Sequence, residues 1–471
     1  MLLDTRQNAS SPPCWVVRAR QALVPSAGDT SVEDCHTYLL DDAGVWGCGD
    51  RIEGFGAWSV ALASGALALA GRAIYEFPRA LLLPAFLNAH AHLELSALRG
   101  AIEPGLSFPG WLERLVTARR AVTPDQAAQA AVAAVEELIA GGCGFVADIS
   151  ALDWAVAALV SRCSMLESRI YFEVTGFRLE EGAEKVRQRL ENAPIPFEPE
   201  TSGVETGLSP HAPYTTTLPL LRAAAKAAAD AAQGTPPRRL PLCIHCDETP
   251  EEHEMCLRGT GALREFLDRY SVLPADWPPP RRTPVQWLDE SGILPPKPPL
   301  PPSSVACPPP APVLLVHLNE ASNDDLSLLA RRHASAVVCP RSHRYFRRGA
   351  FPLERLLAAG VPAALGTDGL SSNDHLSMWD EIREAALLAP SLNAAALLGL
   401  ATHGAARALG VEDRYGSISS GRRAAFAVIE SPDPAPPLHL AAAREWLFSP
   451  ASRPLPLLSF GACANAPETS R

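Results

Sequence analysis

Eight apolar runs of β type recur along the middle of the chain, and polar residues close them. In order they read LLLPAFLNAHAH, GFVADIS, SRIYFEVTG, VETGLSPHAPY, LPLCIHCDE, PVLLVHLNE, SAVVCPRS and PAALGTDG. Between most of them lie alanine- and leucine-rich segments with helical spacing of their apolar positions, as in PDQAAQAAVAAVEELIAGG. Repeated strand-then-helix alternation implies parallel strands joined by crossover helices. Eight such units predict an α/β fold, a closed (β/α)8 TIM barrel over about residues 81–412.

The flanks carry a different pattern. Residues 1–80 hold short strand-like pieces (CWVVRA, TYLLDD, GVWGCG, AIYEF) separated by turn residues, and GSISSGRRAAFAVIE followed by EWLFS repeats that pattern within residues 413–471. The two ends together predict a small β-sandwich domain formed from both chain termini, with the barrel inserted between them. Inside the barrel region, about a third of the 45 prolines fall between Leu273 and Val313, in runs such as PPKPPLPP that supply no backbone donors. This segment, about 273–312, reads as a surface insertion whose middle, TPVQWLDESGIL, is amphipathic and forms a short helix.

Composition narrows the partners. A chain of 471 residues with 47% hydrophobic content can bury a large core and still build a second domain. A formal net charge of -11 and the lack of any Lys/Arg-rich run argue against nucleic acid and for a small-molecule substrate. MLLDTRQNASSPPCWVV has no secretory apolar core, and AWSVALASGALALAG is too short and alanine-rich to span a membrane. The expectation is therefore a cytoplasmic protein with no membrane partner; a homo-oligomer is allowed and not required. Eleven cysteines without framework spacing fit free thiols, and Cys243-x-x-Cys246, lying within an apolar strand pattern, reads as a pair of buried thiols.

The polar residues that close the runs carry the chemistry. In His90-Ala91-His92 alternate side chains of a strand share one face and can hold one ion. His211, His245, His317 and Asp368 close later runs, and a closed barrel brings such strand ends to a single mouth. Glu248, three residues after His245, lies where a carboxylate can curl back over an ion without binding it, the position of a proton shuttle. Glu251 and Glu252, by contrast, read as first-turn acids of the following helix. Glu94 has the strand parity of the histidine pair and is expected to face the mouth, unless Arg99 or a backbone amide satisfies it. Trp111 either offers a stacking face or packs a lid onto the barrel.

Taken together, LPAFLNAHAHLELS, LSPHAPY, IHCDETPEE, VHLNEAS and LGTDGLSSND resemble the amidohydrolase superfamily in its cytosine-deaminase and chlorohydrolase-like branch, and the resemblance extends to ATHGAARALGVEDRYGSISSGRRAAFAVIE. It implies His90, His92, His245 and Asp368 as ligands of one divalent ion, zinc or iron(II). It also implies Glu248 as proton shuttle, His317 as the group that orients the attacking water and His211 as a substrate contact. Dinuclear relatives use a lysine on the fourth strand, which VETGLSPHAPY lacks, so a single ion is expected. FPGWLERL and TDGLSSNDHLSMWDE are most similar to 6-aminodeoxyfutalosine deaminases. Two departures stand out: Ala425 replaces a usual aspartate, and His343 in CPRSHRYF stands where asparagine is usual, either in the pocket or on a solvated loop.

The expected activity is hydrolytic deamination of a flat, amino-substituted, nucleoside-like heterocycle, with Glu94, His211, His343, Ser372 and Asn373 as substrate-contact candidates. A chlorohydrolase or other C–N hydrolase acting on a triazine-like or amidine substrate is the alternative. A catalytically silent metal-binding paralogue is disfavoured by the simultaneous presence of the ligands, Glu248 and His317.

Overall fold

The chain, here a computed structural model, is described over residues 13–25, 37–195, 203–234, 237–274, 277–297, 311–430 and 452–460. It enters through four strands, β1 (Cys14–Pro25), β2 (Thr37–Cys48), β3 (Arg51–Ala57) and β4 (Arg72–Pro84). The eight apolar runs then supply β5 (Phe86–His92), β6 (Cys143–Ser150), β7 (Glu167–Val174), β8 (Val204–Pro210), β9 (Leu242–Cys246), β10 (Val313–His317), β11 (Ser335–Val338), β12 (Ala363–Leu365) and β13 (Asp368–Gly369), the last two from a single run. Three short strands follow: β14 (Ala425–Glu430), β15 (Arg453–Pro454) and β16 (Leu458–Ser459).

Strands β5 to β13 form one curled, wholly parallel sheet in the order β12-β11-β10-β9-β8-β7-β6-β5-β13. All residues of β6, β9 and β10 are buried, as expected where helices cover one face and the sheet's own interior the other. The two ends of this sheet belong to one stretch of chain: Ala363–Leu365 pairs with β11, and Asp368–Gly369 pairs with β5. Gly366 lies between them. A Cβ there would come within 2.8 Å of the His90 Cβ and 3.0 Å of its backbone nitrogen, so only glycine lets the eighth run pass this close to the first. That approach sets Asp368 beside His90.

Sequence signals also explain the crossovers. The helix Pro124–Ala140 opens with a Thr123/Gln126 capping box and buries Ala127, Ala131, Ala134, Val135, Leu138 and Ile139, a stripe of helical spacing against β6 and the turn that follows β5. Within the proline-rich insertion, the expected helix forms as Pro284–Ser291, capped by Thr283 and anchored by Val285 and Leu288. Residues 298–310 of that insertion lie outside the described residues, as does EWLFS.

Both chain ends do meet, in the order β15-β14-β4-β1-β2-β3 with β16 on β14. Where a sandwich was expected, the described strands of both ends join a single seven-stranded sheet. The reason is that β14 pairs antiparallel with β4, Phe426 opposite Pro84, and so extends the existing edge instead of founding a second layer. Trp15 fixes the junction, stacking on Phe460 at 4.3 Å and meeting Phe426 edge-on at 5.9 Å. A correction concerns the thiols. Cys14 and Cys48 lie opposite each other on β1 and β2 and are joined as a disulfide, whereas Cys243 and Cys246 are free and buried in β9 as expected. Among the described residues no helix is long and apolar enough to cross a membrane.

Candidate metal and catalytic site

Five of the side chains that close the runs converge at the C-terminal ends of the parallel strands. His90 and His92 come from β5, His245 from β9, His317 from β10 and Asp368 from β13. Ring nitrogens of His90, His245 and His317 lie within 4.8 Å of one another, as do the ligand atoms of His90, His92 and Asp368. Asp368 Oδ1 is 3.7 Å from His90 Nε2 and 3.8 Å from His92 Nε2. His92 Nε2 stands 3.1 Å from His245 Nε2.

This donor set fits a cation. His245 Nδ1 lies 3.0 Å from the His211 carbonyl, which can only accept, so the proton sits on Nδ1 and a lone pair on Nε2 points at His92. His90 is fully buried and neither of its ring nitrogens has a hydrogen-bond partner. Burial lowers the pKa of His90 and His245, brings His92 to about 3 and His317 and His211 to about 4, and so keeps the imidazoles neutral near pH 7. Burial works against charge on Asp368, yet its contact with His90 and the adjacent imidazoles holds it well below the usual carboxylate range. Its Oδ2 accepts from Ser342 and Ser372, both at 2.7 Å, and Oδ1 accepts from the Gly369 amide at 2.8 Å. Converging lone pairs around one fixed carboxylate, with buried nitrogens left orphaned, describe a site for a divalent ion with nitrogen and oxygen ligands. His90, His92, His245 and Asp368 would hold it.

Backbone strain concentrates at the same place. Asp247, His317 and Asp368 adopt φ of 54°, 81° and 59°, left-handed values that cost about 1–3 kcal/mol each in residues other than glycine. Each lies at a boundary of a strand, where the chain turns; the turns at His317 and Asp368 carry side chains of the converging set, and the one at Asp247 leads into Glu248.

Glu248 is fixed through its peptide groups. Its amide donates to Glu252 Oε2 at 2.8 Å, and its carbonyl accepts from Asn319 Nδ2 at 3.0 Å. Glu252 itself sits in the first turn of the helix Pro250–Arg258, capped by Thr249, as the sequence suggested. The Glu248 carboxylate is thereby left free to face His317 Nε2 at 3.9 Å and Arg348 Nη2 at 3.7 Å. Burial pushes its pKa up to about 7, with Arg348 pulling the other way. That is the range of a group that exchanges protons at neutral pH.

The remaining candidates are placed less uniformly. His211 donates from Nδ1 to Thr215 Oγ1 at 2.7 Å, and Thr215 passes its own proton to the Ala212 carbonyl, so His211 Nε2 is left as an acceptor. Glu94 lies beyond the end of β5, in a 3-10 turn that breaks the strand's alternation; its carboxylate accepts from the amides of Ala151 and Leu152 at 3.2 and 2.8 Å. His343 is buried in the helix Pro340–Tyr345, its ring nitrogens 3.1 Å from Asn319 Oδ1 and 3.0 Å from the Gly349 carbonyl. Ser372 supports Asp368, while Asn373 bridges the Thr367 carbonyl, Glu381 and Arg341. Trp111 packs against Phe108 and Phe346 and donates to the Ser371 carbonyl at 3.1 Å, tying its helix to the loop after β13.

Two groups at the mouth went unnoticed in the sequence. Arg348 follows β11 in an irregular loop and carries no periodic signal; its guanidinium stacks on Phe346 at 4.6 Å. Glu173 is the penultimate residue of β7, and the rule that singled out the other run-closing residues would have found it.

The family model for the amidohydrolase family matches residues 81–449. An aminodeoxyfutalosine deaminase of Deinococcus radiodurans is 32% identical over 340 residues, covering 70% of this chain and 74% of that one. A 5-methylthioadenosine/S-adenosylhomocysteine deaminase of Teredinibacter turnerae is 28% identical over 378 residues, 76% of this chain and 73% of its own. Among solved structures, the aminofutalosine deaminase of Helicobacter pylori in complex with methylthio-coformycin superposes with a TM-score of 0.76 at 24% identity, covering 95% of this chain and 99% of that one. The matched stretch runs from β4 past β14 and contains all the residues that converge at the mouth, and on that extent the chain belongs to the amidohydrolase family.

Proposed function

We propose that this chain is a hydrolytic deaminase of an adenine-type nucleoside, with 6-aminodeoxyfutalosine the first candidate. In this reading the curled sheet is a (β/α)8 barrel spanning about 81–412, flanked by a β domain from residues 1–80 and 413–471. The observation that carries it is the set of neutral imidazoles and one ionised carboxylate around a free, near-neutral Glu248, in a chain whose relatives are named as deaminases. Those relatives favour release of ammonia over the chlorohydrolase alternative.

His90, His92, His245 and Asp368 would hold one divalent ion, zinc or iron(II), which when bound would supply the Lewis acidity that makes water nucleophilic near neutral pH. The water oxygen bonds to the amino-bearing ring carbon, the carbon–nitrogen bond breaks, and ammonia leaves. Glu248 takes one proton from the attacking water and delivers it to the ring nitrogen, and the second proton passes by way of Asp368 to the departing amine, which leaves as ammonia. His317, 3.9 Å from Glu248, orients the water, and Asp368 is the acceptor of its second proton. His211 offers Nε2 to a donor on the substrate.

Ammonia release under one metal loading tests the substrate class. 6-Aminodeoxyfutalosine, 5'-methylthioadenosine and adenosine are expected to exceed adenine, cytosine, guanine and an aminotriazine by at least about a hundredfold in kcat/KM, since unpaired polar groups penalise a missing substituent heavily. If a bare base or the triazine is the best substrate, the nucleoside reading is wrong.

A pH profile tests the shuttle. Glu248 must be unprotonated to accept a proton, so kcat/KM should fall as pH drops through its pKa, at or below about 7, and further down as the ion's charge adds to that of Arg348. Arg348→Met removes a positive charge 3.7 Å away, so the acid limb should move to higher pH. An unmoved limb would assign it to another group.

A further inference from the structure

We propose that Glu173 determines specificity by accepting hydrogen bonds from the sugar hydroxyls of the substrate; this rests on the nucleoside reading above. Glu173 stands near the end of β7, and a carboxylate oxygen, a ring nitrogen of His211 and one of His245 all lie within 4.8 Å of one another. It is therefore a neighbour of the reacting centre, reached from the β7–β8 side. Arg348 and its aromatic support follow β11, four strands away from β7 in the sheet, where Arg348 stands 3.7 Å from Glu248.

The carboxylate is uncommitted. Among the described residues no hydrogen bond reaches it, although hydrogen bonds hold its strand and its neighbours closely. Arg119 and Arg189 act on it through charge alone, and Arg189 donates through Nε to the Glu173 backbone carbonyl at 3.1 Å and through its terminal nitrogens to Asp153 and the Ser150 carbonyl. The residue is only partly exposed, so a bare carboxylate here needs donors from whatever fills the mouth.

The chemistry of the neighbours says which donors. His211 Nε2 is an acceptor, because Nδ1 gives its proton to Thr215. When ionised, Glu173 joins His211 in presenting acceptors to the mouth, which select hydroxyl donors; burial raises the Glu173 pKa to about 7, with Arg119 and Arg189 pulling the other way. The two oxygens of one carboxylate match a vicinal diol in spacing, the same chemistry by which acidic residues hold ribose in dinucleotide sites. With the amino-bearing carbon held at His90, His92, His245 and Asp368, we place the sugar on this β7–β8 side of the mouth, where Glu173 stands beside His211 and His245.

The test compares wild type and Glu173→Gln, each metal-loaded, on adenosine, 2',3'-dideoxyadenosine and adenine, by ammonia release and by equilibrium binding. Wild type should favour adenosine over the dideoxy analogue by about 10- to 100-fold in kcat/KM, the size of a hydrogen bond to a charged group. Glu173→Gln should lose most of that preference while its rate on the dideoxy analogue stays within about threefold. Equal losses on every substrate, or an unchanged preference, would overturn the assignment. Metal content is measured alongside, and a wild type that holds a second ion lost in Glu173→Gln would assign the cluster to a cation instead. Should Glu173→Gln fail to fold, Glu173→Asp, which keeps the charge and shortens the reach, is expected to weaken the adenosine preference in part. If no amine releases ammonia but Glu173→Gln still weakens adenosine binding relative to the dideoxy analogue, the deaminase reading fails and this one stands. If neither activity nor binding depends on the hydroxyls, Glu173 has no such role.

Discussion

Replacing Glu248 with Gln is expected to leave the metal in place and to cut turnover by at least about a hundredfold, the lower end of what general acid–base catalysis contributes. The amide keeps the shape of the side chain and can neither take a proton from water nor return one to nitrogen. The residue's backbone is held independently, through Glu252 and Asn319, so the substitution should not disturb the turn that carries it. Neither His90, His92, His245 nor Asp368 has Glu248 as a hydrogen-bond partner, and metal content should stay at one ion per chain. Elemental analysis and ammonia release, measured on the same preparation, check both halves. Near-native turnover would move the shuttle to another group, with Asp247 the first to examine; its carboxylate is already engaged by His253 Nδ1 at 2.8 Å.

His90→Ala should abolish stoichiometric metal binding and, with it, turnover. Its side chain is fully buried with both ring nitrogens unpartnered, so it contributes nothing to hydrogen bonding in the protein and everything to a ligand set. A ligand that binds only the folded state stabilises it in proportion to the logarithm of its concentration over Kd. Chelation should therefore lower Tm in the wild type and leave Tm of His90→Ala unchanged. Two tightly held ions in the wild type, or unchanged metal content in His90→Ala, would rule out the four-residue site.

How much of this was legible depends on the range of the physics involved. The strand identity of the eight runs followed from run length and helical spacing between them, both local properties. So did the helices opened by Thr123 and Thr283, whose capping boxes span only a few residues. The metal and shuttle candidates were legible because a parallel sheet sends every strand's C-terminal end to the same side, so residues closing separate runs must meet. Glu173 obeyed this rule and was overlooked; Arg348 obeyed none, since irregular loops leave no periodic trace.

What the sequence by itself determined is the alternation of strands and helices, the convergence of His90, His92, His211, His245, His317 and Asp368, and the family motifs they belong to. Only the tertiary structure decided who answers whom. Strand parity pointed Glu94 at the mouth, but parity ends where the strand does, and the 3-10 turn after His92 handed its carboxylate to Ala151 and Leu152. Ser372 and Asn373 turned to Asp368, Thr367 and Glu381, and His343 to Asn319 and Gly349, because buried polar groups take whatever partner packing brings within reach. Among the described residues the terminal strands share one sheet for a similar reason: β14 met the open edge of β4, and pairing there satisfies backbone groups of both strands. Local periodicity specifies elements, whereas hydrogen-bond partners hundreds of residues apart are chosen by the packing that brings those elements together.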